Sequence, residues 1–315
     1  MSNCLKKALI TGGAGFIGSH IAEELVRRGV KVTVLDNLAS GHLKNIDALK
    51  DAVAFVEGDI RDETVLAKVT EGVDVVFHQA AVVSVTKTVE EPVGSSAVND
   101  LGTVKVLDAA RRNKVRRVVL ASSSAVYGDE PRSPKVESMS PQPLSPYAVQ
   151  KLTNEYYASL YYRLYGLETV CLRYFNVYGP RQDPSSPYSG VISIFMTRAT
   201  GNCAPVIYGQ GRQTRDFVFV KDVVQANLMA AEMQDAAGQV YNVGTGDSVE
   251  INVLWEKIAG LAHCRLIPEY APARPGDIVH SLAGIRKIQD SLGFRPSVTF
   301  DEGLSLTFAW YEQNT

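Results

Sequence analysis

The chain is poor in the residues from which several kinds of site are built. Its 315 residues include four cysteines, Cys4, Cys171, Cys203 and Cys264, far apart and with no CxxC pair. That disfavours both a disulfide framework and a thiolate metal site, and a reduced, cytoplasmic chain is expected. The five histidines never pair at helical metal spacing, so no metal is expected either. Apolar runs are all too short to span a bilayer. The start MSNCLKKALITGG runs straight into glycines and reads as a first strand, not a signal peptide. A formal net charge of −2 argues against broad phosphate neutralisation, so neither a nucleic acid nor a membrane is expected as partner. What remains is an ordinary globular composition, 45% hydrophobic and 21% charged, long enough for one large domain or two smaller ones.

Short apolar runs ending in small or polar residues alternate with helical periodicity. KKALITGG, KVTVLDN, AVAFVEGDI, GVDVVFHQAA, RRVVLASSS and ETVCLRYFNVYGP read as strands. GFIGSHIAEELVRRGV, SSAVNDLGTVKVLDAARRNKV and SPYAVQKLTNEYYASLYYRLYGL read as helices, the first stopped by Gly29. This order predicts an α/β fold, a doubly wound Rossmann-type parallel sheet covered on both faces. Past Pro180 the texture changes to a polar loop, a helix over VISIFMTRATGN, mixed segments, a strand in GQVYNVGTG and a tail of short elements. A smaller α/β substrate-binding lobe is expected over residues 176–216 and 246–315, with 1–175 and 217–245 forming the dinucleotide-binding domain.

Three features carry chemistry. ITGGAGFIGSH sets Gly12, Gly15 and Gly18 between a strand and a helix. Such glycines permit a tight turn, close approach of backbone to a pyrophosphate, and close packing of helix on sheet. Asp36 ends the second strand, where an acid can accept from a ribose 2′-hydroxyl and repel a 2′-phosphate, and Asn37 and Leu38 after it are uncharged. NAD is thus favoured over NADP, and Asp59, after the third strand, is a candidate for the adenine. In SPYAVQK, Tyr147 precedes Lys151 by one helical turn, just after the strand ending in Ser122, Ser123 and Ser124. A serine, a phenol and an ammonium can meet at the carboxyl end of the sheet. Nearby positive charge from Lys151 and a nicotinamide is expected to hold the phenol ionised as a base.

TGGAGFIGSH, HQAA, SSSAVYG, SPYAVQK and RYFNVYGPRQDP resemble the extended short-chain dehydrogenase/reductase family, nearest to its nucleotide-sugar epimerases acting on UDP-glucose and UDP-N-acetylglucosamine. TRDFVFVKDVV, YNVGTG and RPGD extend the likeness almost to the end of the chain. The resemblance implies Tyr147 as base, Lys151 as its partner and ribose ligand, and Ser123 orienting the substrate hydroxyl. It implies that Phe16, Ile17, Asp36, Asn37, Asp59, Ile60, Gln79, Ala80, Ala81, Asn99 and Tyr174 line the NAD site. Ser84, Asn176, Tyr208, Arg215, Arg274 and Asp277 would meet the nucleotide sugar. The residue types suit those tasks. Arginines fork onto diphosphate oxygens, Tyr208 offers a flat face to uracil, and Asp277 accepts from ribose hydroxyls.

The family's dehydratases carry Asp–Glu after the active-site serine or threonine, and its decarboxylases a Glu. Here Ser124 and Ala125 stand there. The resemblance therefore implies 4-epimerisation by transient oxidation at C4, turning of the keto sugar and hydride return. UDP-glucuronate epimerisation, a dehydrogenase that releases NADH, and a non-catalytic NAD sensor are the alternatives. Ser281, four residues after the Asp of RPGD, is small where galactose-restricted enzymes carry a bulky residue, which implies room for a 2-acetamido group. Helices over Ser96–Lys114 and Pro146–Tyr165 resemble those of a four-helix homodimer interface. Tyr156, Tyr157, Leu160, Tyr161, Leu164 and Tyr165 would supply its apolar surface.

Overall fold

The computed structural model describes residues 5–183, 190–273 and 278–314. Strand β1 (Lys7–Thr11) leads to helix α1 (Phe16–Arg27), then β2 (Lys31–Asp36), β3 (Val53–Glu57), α2 (Glu63–Val69) and β4 (Val75–His78). Next come α3 (Val85–Glu90), α4 (Pro92–Ser96), α5 (Thr103–Arg112), β5 (Arg117–Ser123), α6 (Pro146–Tyr165) and β6 (Glu168–Tyr174). The second half contains β7 (Asn176–Tyr178), α7 (Val191–Thr200), β8 (Val206–Tyr208), β9 (Thr214–Arg215), β10 (Phe217–Phe219), α8 (Val220–Glu232) and β11 (Gln239–Val243). It closes with β12 (Val249–Glu250), α9 (Ile251–Leu261), β13 (Glu269–Ala271), β14 (His280–Ser281), α10 (Arg286–Leu292) and α11 (Phe300–Asn314).

Seven strands form one sheet in the order β3-β2-β1-β4-β5-β6-β11. Every neighbouring pair is parallel. Side chains alternate across it. Ala8 and Ile10 of β1 pack with α1, α8 and α10 on one face, and Leu9 packs with α2, α5 and α6 on the other. The strand order reverses between β1 and β4, so the loops beyond their carboxyl ends open a crevice there. A third apolar cluster, around Phe195, Trp255, Phe308 and Tyr311, holds α7, α9 and α11 together in the smaller lobe.

Helix α6 starts and stops as its sequence dictates. The Ser145 hydroxyl accepts from the Ala148 N–H at 3.2 Å, Pro146 occupies the first turn, and Gly166 ends the helix at φ +70°.

Three expectations need correction. The helix expected over 95–115 is interrupted by wide turns over Ala97–Gly102. There the Thr103 hydroxyl donates to the Asn99 carbonyl at 2.6 Å, and Gly102 lies so close to Ile60 that a Cβ would meet Ile60 Cδ1 at 2.7 Å. The sixth strand is two strands. Phe175 N–H donates to Val243 O and Asn176 N–H to Asp216 O, both at 3.0 Å, so the chain leaves β11 and takes β10 as its partner. The tail is not made of short elements alone, because α9 has 11 residues and α11 has 15. Their apolar stripes are diluted in the sequence by Gly260, Gly303 and Thr307, and become evident only as they pack into the third cluster.

Candidate active site

The three glycines build a cradle at the crevice. Gly12 adopts φ +69°, and a Cβ on it would stand 2.7 Å from the Ala80 nitrogen across the β1–β4 boundary. A Cβ on Gly18 would lie 2.2 Å from the Gly12 carbonyl oxygen, so only glycine allows α1 to come this close. Gly15 caps α1 with extended backbone and no side-chain cap, so the first N–H groups of the helix remain available to a phosphate. Phe16 and Ile17 follow, half-buried.

Asp36 is buried at the end of β2, where its Oδ2 accepts from Ala14 N–H at 3.0 Å and its Oδ1 from Leu38 N–H at 2.8 Å. It ties the glycine loop to β2 and keeps acceptor capacity for a ribose hydroxyl, since a carboxylate offers about four lone-pair sites. Asp59 is engaged differently. Its oxygens take Asn37 Nδ2, Arg61 N–H, Arg61 Nε and Arg61 Nη2, all at 2.8–2.9 Å. Those bonds, above all from Arg61, hold its pKa down at about 2. Through Asn37 Nδ2 the same carboxylate orients Asn37.

On the β4 side, Gln79 and Tyr174 belong to one hydrogen-bonded group. Gln79 Nε2 donates to Tyr174 Oη at 3.2 Å, and Tyr174 Oη donates to Asn227 Oδ1 at 3.0 Å. Burial pushes the Tyr174 phenol up to about 12. Asn99 accepts from Val82 N–H at 2.8 Å and donates to Gln150 Oε1 at 2.7 Å, which fixes the loop carrying Ala80 and Ala81 to α6. Ile60 is buried beneath the wide turns.

Tyr147, Lys151 and Ser123 come together at the carboxyl end of β5. The Ser123 hydroxyl accepts from Ala125 N–H at 3.1 Å and lies near enough to the Tyr147 phenol to affect its ionisation. Its neighbour Ser122 is buried and donates to Glu155 Oε1 at 2.5 Å, facing away into the core. The Lys151 ammonium lies 5.8 Å from the Tyr147 ring centroid and donates to the Ala121 carbonyl at 2.8 Å. Burial lowers its pKa to about 8, against the pull of Cys171 and Asp100. Lys151 without the nicotinamide does not lower the phenol. Burial pushes the Tyr147 phenol above its ordinary value, and the nearby Ser123 hydroxyl works the other way. The ammonium faces a carbonyl instead of the phenol oxygen, so the chain by itself keeps Tyr147 protonated near neutral pH.

Of the residues expected to meet the nucleotide sugar, Ser84 follows β4, and Asn176, Tyr208, Arg215 and Ser281 lie beyond β6. Ser84 caps α3, accepting from Lys87 N–H at 3.0 Å. Asn176 N–H and Nδ2 both donate to the Asp216 carbonyl, at 3.0 and 3.2 Å. Arg215 in β9 stands opposite Ser281 of β14, and its Nη1 donates to Thr214 O and Val279 O at 2.9 and 3.3 Å. Tyr208 ends β8 with its ring partly exposed. Arg274 and Asp277 lie outside the described residues.

Comparison with known proteins decides the family. The signature described as the NAD dependent epimerase/dehydratase family matches residues 8–244. The chain belongs to the NAD-dependent epimerase/dehydratase family. Its cofactor is NAD, and the glycine cradle, the uncapped start of α1 and the buried Asp36 fit that dinucleotide. A relative from Methanocaldococcus jannaschii named putative UDP-glucose 4-epimerase is 42% identical over 97% of this chain and 98% of its own. A UDP-N-acetylglucosamine 4-epimerase from Methanobrevibacter ruminantium, solved with UDP-N-acetylmuramic acid, matches with TM-score 0.94 and 41% identity, covering 98% of this chain and 99% of that one. The UDP-glucose 4-epimerase of Thermus thermophilus, solved with NAD, matches with TM-score 0.89 and 39% identity over 98% of this chain and 100% of that one. At 33% identity over 98% of this chain and 93% of its own, the family match extends to a dTDP-glucose 4,6-dehydratase from Streptomyces niveus. Among the described residues no helix is long and apolar enough to cross a membrane.

Several residues that shape this family site escaped the sequence reading. His78 is buried between Thr11 Oγ1 at 2.7 Å and Thr103 Oγ1 at 2.9 Å, linking the strand before the glycine loop to the start of α5. Asn227 anchors Tyr174, and Glu155 braces Ser122 and Arg173. The available signal was a polar residue standing at a position where the periodicity demands an apolar one.

Proposed function

We propose that this protein is a 4-epimerase of UDP-hexoses, acting on UDP-glucose and UDP-galactose and on their 2-acetamido forms. When bound, NAD supplies a hydride acceptor whose oxidised ring is positively charged. Tyr147 is the group that takes the proton of the C4 hydroxyl and returns it. Ser123, at the end of β5 beside that phenol, orients the same hydroxyl. Lys151 adds a buried positive charge beside the ring, which favours the phenolate once a second cation is near. Asn176, Tyr208, Arg215, Arg274, Asp277 and Ser281 are assigned to the UDP-sugar.

The observation that carries the choice of reaction is the turn after β5. Ser123 caps this turn by accepting from Ala125 N–H, and Ala125 offers only a methyl group where water elimination or decarboxylation needs an acid or base. Glu155, one turn beyond Lys151, is engaged by Ser122 and Arg173. The names carried by relatives at 41–42% identity point the same way. The small Ser281 supports acceptance of acetamido sugars.

We also assign a homodimer to the outer face of α6. Tyr156, Tyr157, Leu160, Leu164 and Tyr165 are exposed there, with Val93 and Leu101 alongside on the preceding helical segment. Tyr161, expected among them, is instead buried against α5.

The test is a substrate panel without added NAD: UDP-glucose, UDP-galactose, both acetamido forms and UDP-glucuronate, with products separated by chromatography. Interconversion at C4 is expected for the first four, and Tyr147→Phe should lower kcat by about a hundredfold or more. Failure of every sugar to equilibrate, or full turnover in Tyr147→Phe, would refute the proposal.

A further inference from the structure

We propose that Asp216 is a positioning residue for the UDP-sugar pocket, a buried carboxylate on which its walls are assembled. The inference rests on the reading above that the smaller lobe binds a UDP-sugar. Asp216 follows Arg215, is fully buried, and is bonded through both its main chain and its side chain. Its N–H donates to Ser281 O at 2.9 Å, and its carbonyl accepts from Asn176 N–H at 3.0 Å and from Asn176 Nδ2 at 3.2 Å. The residues on either side of the pocket are thus spaced by one peptide unit.

The carboxylate fixes a second layer. Oδ1 accepts from Thr245 N–H and from the Thr245 hydroxyl, both at 2.8 Å. Oδ2 accepts from Gly246 N–H at 3.0 Å and from Ala283 N–H at 3.1 Å. These four donors match the roughly four lone-pair sites that a carboxylate offers. Thr245 and Gly246 follow β11 of the large sheet, and Ala283 follows β14 of the lobe, so one side chain pins the lobe strand carrying Ser281 to the sheet. Gly244 leaves no slack, because a Cβ there would stand 2.9 Å from Oδ2 and 2.5 Å from the Ala283 methyl. Burial raises the Asp216 pKa while the Thr245, Ala283 and Gly246 donors oppose it, as for a charge kept only because its bonds are complete.

An amide in place of the carboxylate presents N–H to two of those donors and forces them apart. The expected result for Asp216→Asn is UDP binding weakened by about tenfold or more in calorimetry, with KM raised alike and kcat kept within about threefold. NAD content should equal that of the parent. Thr245→Val, nearly isosteric, removes one donor and should raise both constants by about two- to fivefold, which keeps the test intact if Asp216→Asn does not fold. An unchanged UDP affinity and KM in both variants, or in Thr245→Val alone if the other does not fold, overturns the inference, whatever happens to thermal stability. Failure of the epimerase reading looks different: the parent would bind UDP and the variants would bind it weakly, while no sugar turned over.

Discussion

Glu155 is the most demanding test of how the catalytic corner is held. It lies one turn along α6 from Lys151, almost without solvent contact, and its partners are Ser122 Oγ at 2.5 Å, Arg173 Nε at 2.9 Å and Arg173 Nη2 at 2.7 Å. Arg173 is equally buried, and its Nη1 has no hydrogen-bond partner. Glu155→Gln therefore does not merely weaken a bond. It leaves a buried guanidinium without its counter-charge and replaces one carboxylate oxygen by an amide NH2 that faces donors. Breaking a buried pair in this way costs about 3–5 kcal/mol, against about 0–1 for an exposed pair. Removing both charges with Glu155→Gln and Arg173→Met together should restore a large part of that loss, because no uncompensated ion remains. Equilibrium urea denaturation with the NAD content held constant measures all four corners of the cycle. The expected coupling is about 2 kcal/mol or more. A single variant within about 1 kcal/mol of the parent, or strict additivity of the two, would refute the account of Glu155 as a buried counter-ion. Because Ser122 adjoins Ser123, kcat should fall in Glu155→Gln even at temperatures where the protein is fully folded.

Gly18→Ala should abolish most NAD retention and lower the melting temperature, since its Cβ would stand 2.2 Å from a backbone oxygen that cannot step aside; NAD released on heating, measured by absorbance, checks this, and parent-level retention would contradict it. Gly260, inside α9 with nothing within 4 Å of an added Cβ, gives the opposite expectation: Gly260→Ala should raise stability by about 0.5–1 kcal/mol, read by calorimetry, and a drop would show hidden crowding. The histidines predict acid sensitivity. Burial lowers His20 to about 4 and His78 to about 3, so both are neutral when folded. Below the ordinary value near 6.5 the unfolded chain binds protons that the folded chain does not, so stability falls as pH drops from there towards 4. The loss is about 1.4 kcal/mol per pH unit for each group, and His20→Gln should flatten denaturation midpoints against pH by about half of it.

The sheet was legible because each strand is an apolar run with a period that changes at its ends, and because glycines mark the turns. The same holds for Gly12, Gly15 and Gly18, whose spacing states a backbone requirement directly. Tyr147 and Lys151 were readable as a pair, but the electrostatics between them were not. Which atom an ammonium faces depends on the position of the Ala121 carbonyl, which no local pattern records. The same holds for Asp59, whose pairing with Arg61 through Nε and Nη2 no local pattern records. The break between Tyr174 and Asn176 depends on strands reached some 40 and 65 residues later, Phe217–Phe219 and Gln239–Val243. Asp216 was passed over because a lone acid before FVFV resembles a loop residue until the donors from three distant segments close around it.

The late arrival of β11 has a consequence for synthesis. Its place beside β6 can be taken only after residue 243 has left the ribosome, by which time β6, with Val170, Cys171 and Leu172, has long been made. Until then β6 presents an apolar, hydrogen-bonding margin of the kind that recruits other chains. A nascent or truncated polypeptide ending before Gln239 should therefore need a chaperone to stay soluble, whereas one extended past Val243 carries its own cover.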